Sequence, residues 1–153
     1  MALRSECSSH PALSCADRLA ASTSDIVLLI GRILLGWIFV RSGYGKLFNV
    51  EAVANSFPLR GLPAFLAYIA VPVEFFGGLA LMFGLATRYV VLVMVIFMLV
   101  ATFSSHRYWA VEPAQVANQS SHFWKNVTIK GGLVLLFITG AGRYALDRLL
   151  ARK

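Results

Sequence analysis

Four apolar runs dominate the chain, at about 26–47, 63–83, 89–103 and 123–139, and shorter, more polar stretches separate them. Each is near the ~20 residues a helix needs to cross roughly 30 Å of hydrocarbon. Lipid offers the backbone no hydrogen-bond partners, so runs of this length read as helices. The pattern predicts an all-α membrane protein, a four-transmembrane-helix bundle forming one domain over residues 25–147. Residues 1–24 are rich in Ser and Ala, carry Asp17 and Arg18 and lack an apolar centre. They read as a flexible N-terminal tail rather than a signal peptide, and residues 148–153 as a basic C-terminal tail.

Charges interrupt three of the runs. Arg32, Glu74 and Lys130 fall where a charge is costly and therefore usually faces a bundle interior. At 100° per residue, Arg32, Gly36, Phe39, Gly43 and Lys46 share a narrow arc of the first helix, and Ala67, Ala70, Glu74 and Gly78 share one on the second. Small residues along such stripes let membrane helices approach closely. On the fourth helix, Asn126 and Lys130 share a face with Val134 and Phe137. A rise of ~1.5 Å per residue puts Glu74 near mid-membrane, Arg32 roughly 6 Å to one side and Lys130 roughly 5 Å to the other. Either long cation is then within reach of the carboxylate, and the pairing alone would account for it as a packing device.

The connections add less. The first, 48–62, is moderately apolar and fits a segment lying along the interface. The second is short enough to force an antiparallel hairpin. The third, about 104–122, is the longest and most polar, and its His106, Tyr108, Trp109 and His122, with Trp124 beyond, suit a membrane interface. The two histidines lack a carboxylate or cysteine at ligand-like spacing, so no metal or haem site is expected. Cys7 and Cys15 form no C-x-x-C pair and read as free thiols, which argues against a membrane thiol–disulfide enzyme.

Composition agrees with the pattern: 58% of the 153 residues are hydrophobic and 14% charged, with a mean hydropathy of +0.72. Four spans put both termini on one side. That side carries Arg4, Arg18, Arg88, Arg143, Arg148, Arg152 and Lys153 against Arg41, Lys46, Arg60, Arg107 and Lys125 opposite. The positive-inside rule therefore predicts a multi-pass protein of the bacterial inner (plasma) membrane with cytoplasmic termini. The net charge of +7 suits an anionic lipid surface and gives no support to nucleic-acid binding.

Three strings occur in order. Arg32-Ile33-Leu34-Leu35-Gly36 runs into Ser42-Gly43-Tyr44-Gly45-Lys46-Leu47. Glu74-Phe75-Phe76-Gly77-Gly78 is followed by Leu81, Gly84 and Thr87-Arg88. Lys125-Asn126 precedes the terminal Gly140-Ala141-Gly142-Arg143-Tyr144-Ala145-Leu146-Asp147. Together they resemble the DoxX family of small, mostly bacterial four-helix membrane proteins, over residues 26–147. The N-terminal segment and the polar third connection depart from that pattern, and Lys130 is not carried over from it. The resemblance implies a membrane subunit or partner of an oxidoreductase system that contacts quinone, since the family takes its name from a subunit of a thiosulfate:quinone oxidoreductase.

The expected site is then a polar centre. Glu74 would hold or relay a proton, and Arg32 or Lys46 would bind a quinone oxygen or small anion. Lys125, Asn126 and Lys130 would be contributed by the fourth helix. No metal, flavin or dithiol motif is visible in the chain, so electrons would come from another subunit. Two alternatives stay open. One is a small transporter for a weak acid or small anion, which with so few helices would work as a homo-oligomer; the other is a structural membrane anchor.

Overall fold

The computed structural model describes residues 11–150; Arg4, Cys7, His10, Arg152 and Lys153 lie outside them. Among the described residues every regular element is helical: α1 (Pro11–Leu47), α2 (Val50–Ser56), α3 (Ala67–Phe83), α4 (Thr87–Ser105), α5 (Pro113–Thr139) and α6 (Leu146–Leu150). Short 3-10 turns at Pro58–Arg60, Ala64–Leu66 and Tyr108–Ala110 join them. Three stretches are long and apolar enough to cross a membrane, Ser14–Leu47, Ala64–Phe83 and Thr87–Ala110. The fourth long helix, α5, is interrupted by Lys125 and Lys130 and packs against α4 and α1.

Two boundaries differ from the sequence reading. Residues 11–24 are the first turns of α1 rather than an irregular tail. Their Ala and Leu residues are strong helix formers. The hydroxyls of Ser22 and Thr23 fold back onto the Leu19 carbonyl and that of Ser24 onto Ala21, so they satisfy themselves within the helix. Residues 113–122, expected in the third connection, are likewise helical. Pro113 occupies the first turn, where its fixed φ favours a helix start and no N–H is missed. The C-terminal boundary shifts too, because α6 continues to Leu150.

Packing follows the small-residue stripes. On α1, Arg32, Gly36, Phe39 and Gly43 are buried, and on α3, Ala67, Glu74 and Gly78 are buried. Gly36 and Gly78 meet face to face: a Cβ on Gly78 would stand 2.8 Å from the Gly36 carbonyl oxygen. One helical level along, a Cβ on Gly43 would stand 2.9 Å from the Phe75 backbone nitrogen. α4 and α5 close the core with Val91, Met94, Met98, Leu133 and Leu136. The inward face of α5 thus runs through Ile129, Leu133 and Leu136, whereas Val134 and Phe137, which share a face with Asn126 and Lys130, are exposed. Large apolar side chains such as Leu34, Phe76, Ile96 and Leu135 cover the outside, while Arg32, Glu74, Thr87 and Thr102 are buried. Apolar outside with polar groups enclosed is the arrangement of a chain solvated by lipid.

Candidate functional site

The small stripe positions the charges. Because Gly43 lets α1 lie on the backbone of α3, Lys46, almost one turn on, reaches Glu74. Its Nζ donates to Oε1 at 2.9 Å and Oε2 at 2.7 Å, and also to Ser42 Oγ at 3.0 Å. The Glu74 side chain is 8% exposed and that of Lys46 40%, so the carboxylate is sunk in the bundle and the ammonium reaches it from the rim.

Beside the pair lies a cavity of about 390 Å³, within the usual range of small-molecule sites. Its walls are mostly apolar, with Phe57, Leu66, Val71 and Phe97 among them. Polar side chains enter at two places only: Lys46 and Glu74, and then Arg60 with Ser104 and Ser105. Ile69, Ile96 and Val100 are exposed on its flank between α3 and α4, so the cavity faces the lipid side of the molecule.

The other expected residues lie elsewhere. Arg32 does not reach Glu74. It lies at the opposite end of the bundle, where its Nη2 donates to the Tyr144 carbonyl at 2.6 Å while Nε and Nη1 are buried without a partner. Near it Asp147 accepts from the backbone N–H groups of Ala86 and Thr87. That contact caps α4 and braces Ala86, a non-glycine residue in the left-handed region at φ 47°. Lys130 does not reach Glu74 either; its Nζ stands 5.8 Å from the centre of the Phe103 ring. Lys125 donates to His122 Nδ1 at 2.9 Å, and Asn126 is half-buried on α5. None of Arg32, Lys125, Asn126 and Lys130 lines the cavity.

His106 and His122 come together, with stacked rings 5.1 Å apart, although the sequence places them sixteen positions from each other. His106 Nδ1 shares a hydrogen bond with Gln119 Oε1 at 2.9 Å. Burial, then the Lys125 ammonium and then His106 hold His122 below the usual histidine range. Among the described residues no three His, Cys, Asp or Glu side chains gather as a metal-ligand set. The sequence reading missed Arg60, Ser104 and Ser105 as cavity residues. Arg60 sits in a Pro-Leu-Arg-Gly turn that spacing alone marks only as a loop, and only the fold brings it to the end of α4.

The DoxX family profile matches residues 27–107. The chain is 37% identical over 129 residues to the inner membrane protein YqjF of Escherichia coli, covering 84% of this chain and 95% of that protein. It is 32% identical to the inner membrane protein YphA of the same organism, covering 80% and 89% respectively. A Bacillus subtilis protein named "Putative oxidoreductase CatD" is 39% identical over 66 residues, 43% of this chain and 49% of that protein. No solved structure matches.

Proposed function

The chain belongs to the DoxX family of membrane proteins, and on that premise we propose that it is a membrane subunit or partner of an oxidoreductase system that binds quinone in the cavity beside Glu74. The observation that carries this reading is the pairing of a lipid-facing apolar cavity with one buried carboxylate at its wall. Apolar walls suit a ring and tail that arrive through the bilayer, and a few convergent polar groups fix their orientation. Glu74 holds or relays a proton, and Lys46, bonded to both of its oxygens, aims the carboxylate. Electrons come from a partner that carries the redox centre. The oxidoreductase name of the Bacillus relative supports the same assignment. In this reading α5 is a fourth span and the termini are cytoplasmic.

The geometry favours this reading over transport. The cavity lies at one end of the bundle, and at the other Arg32 is sealed beneath Gly84 and Tyr144. The test is purification of the tagged protein from its native membrane in mild detergent, with quinone-dependent turnover measured on the complex. A redox partner is expected to co-purify, and Glu74→Gln is expected to lower turnover by about a hundredfold while the partner stays bound, the scale of a lost proton-transfer group. Unchanged turnover in Glu74→Gln would remove the role given to the carboxylate. A colourless homo-oligomer without a partner would instead favour the transporter, and uptake into liposomes would then decide.

A further inference from the structure

The two polar ends of the cavity differ in what they have left to offer. At the Glu74 end, all three Lys46 N–H donors are already engaged, two by the carboxylate and one by Ser42. The free capacity there is acceptor only, the remaining lone pairs of the carboxylate. At the other end Arg60 spends one donor on Ser105 Oγ at 3.0 Å, and a guanidinium has five. The free capacity there is chiefly donor, the remaining Arg60 N–H groups, with the Ser104 hydroxyl beside them able to accept a hydrogen bond as well.

Arg60 is also held in place. Its 3-10 turn closes through Gly61, in the left-handed region at φ 76°, whose N–H returns to the Pro58 carbonyl at 3.0 Å. The Leu62 N–H bonds the Phe57 carbonyl at 3.0 Å, and the Phe57 ring is buried with Ala54 and Ala67. The turn therefore presents the guanidinium at the cavity from a fixed base, and the Ser105 contact spans from it to the end of α4.

We infer that Arg60 is the second polar anchor of the cavity, and that the site selects a ligand with oxygens at opposite edges of a ring, the reduced 1,4-hydroquinone in preference to the quinone. One hydroxyl of the hydroquinone donates to Glu74 while the oxygen of the other accepts from Arg60, so both ends are satisfied. A quinone carbonyl has no proton to donate, and facing Glu74 it would have to take a Lys46 donor from the carboxylate. The inference rests on the proposed function above and adds the ligand's redox form and the residue that reads its far oxygen.

The test is anaerobic equilibrium binding to the purified full chain, with 2-decyl-1,4-hydroquinone, the corresponding quinone and 3-decylphenol as probes. The hydroquinone is expected to bind about tenfold more tightly than the quinone. Arg60→Ala should weaken hydroquinone binding by roughly ten- to a hundredfold, the worth of one charge-assisted hydrogen bond. It should leave the single-hydroxyl phenol nearly unchanged. Arg60→Lys should recover part of the loss, and Ser105→Ala, which leaves Arg60 in place but unclamped, should give a smaller one. Ala101→Phe, which fills the cavity, should abolish binding of all three. If Ala101→Phe abolishes binding but Arg60→Ala matches the wild type, or if the quinone binds as tightly as the hydroquinone, the inference falls and the quinone-site reading stands. If the wild type binds none of the probes, the quinone-site reading falls with it.

Discussion

At the scale of single residues, the Lys46–Glu74 pair lies between two regimes. Exposed pairs contribute up to ~1 kcal/mol, whereas breaking a fully buried one costs about 3–5 kcal/mol because a charge is left stranded. With the carboxylate enclosed and the ammonium at the rim, Lys46→Met is expected to destabilise the protein by about 2–3 kcal/mol. The double change Lys46→Met, Glu74→Leu should recover most of that, because no unpaired charge remains. Denaturant melts in detergent check both, and equal losses in the single and double variants would show that the pair does not govern stability. His122 makes a second prediction. Its folded pKa lies below the usual 6.5, first through burial, then through Lys125 and His106. The unfolded chain therefore takes up the proton first, so His122 subtracts stability as pH falls below about 6.5 and has no effect above it. The imidazole signal of His122 should titrate below the ordinary histidine midpoint, and Lys125→Ala should move it upward. An unmoved midpoint would discount the 2.9 Å contact between them.

At the scale of elements, the stripes of α1 and α3 were legible because small residues and charges recur at the helical period. Gly36, Gly43 and Gly78 are buried where the spacing puts them. The partners of the charges were not legible. A rise per residue fixes depth along the bundle but not the angle around it, so Arg32 and Lys130 came within reach of Glu74 on depth alone. Lys46, at the end of α1, was the neighbour that mattered. The start of α1 was obscured by its serines and threonines, which resemble a polar tail until their hydroxyls are seen on the carbonyls of the preceding turn. Contact between α1 and α3 gives this scale its prediction. A methyl group on Gly78 would have the Gly36 carbonyl oxygen, the Phe39 Cβ and the Val40 nitrogen all within 2.9 Å. Two of the three are backbone atoms and cannot turn aside. Gly78→Ala should therefore push the helices apart and cost about 1–3 kcal/mol, the range for overpacking. Gly131→Ala, where nothing lies within 4 Å, should be neutral or slightly stabilising through helix propensity. Thermal melts of the pair separate contact from propensity.

At the scale of the whole molecule, the topology turns on α5. By composition it falls short of the other long helices, its apolar run being diluted by His122, Lys125, Asn126 and Lys130. Both lysines are accounted for near one end. Lys125 turns to His122, and Lys130 lies over the Phe103 ring at the end of α4, beside the aromatic cluster of Tyr108, Trp109, Phe123 and Trp124. Long cations near a helix end reach back to the interface, and aromatic rings of this kind settle there. Residues 131–139 beyond them are almost wholly apolar, with Leu133 and Leu136 in the core. The far end is tied to the α3–α4 hairpin, where Asp147 caps α4, and to α1, where the Arg143 N–H bonds Asp25. α5 thus runs from the end where α4 finishes to the end where it begins, alongside helices that do qualify as spans. A reporter fused after residue 150 is expected to be cytoplasmic, and one inserted in the 106–112 connection to lie outside, with the basic terminal side retained inside. Reporters on the same side would make α5 an interfacial helix and would also change the setting of the cavity, since Arg60 and Ser105 share the end of the bundle where the 106–112 connection lies.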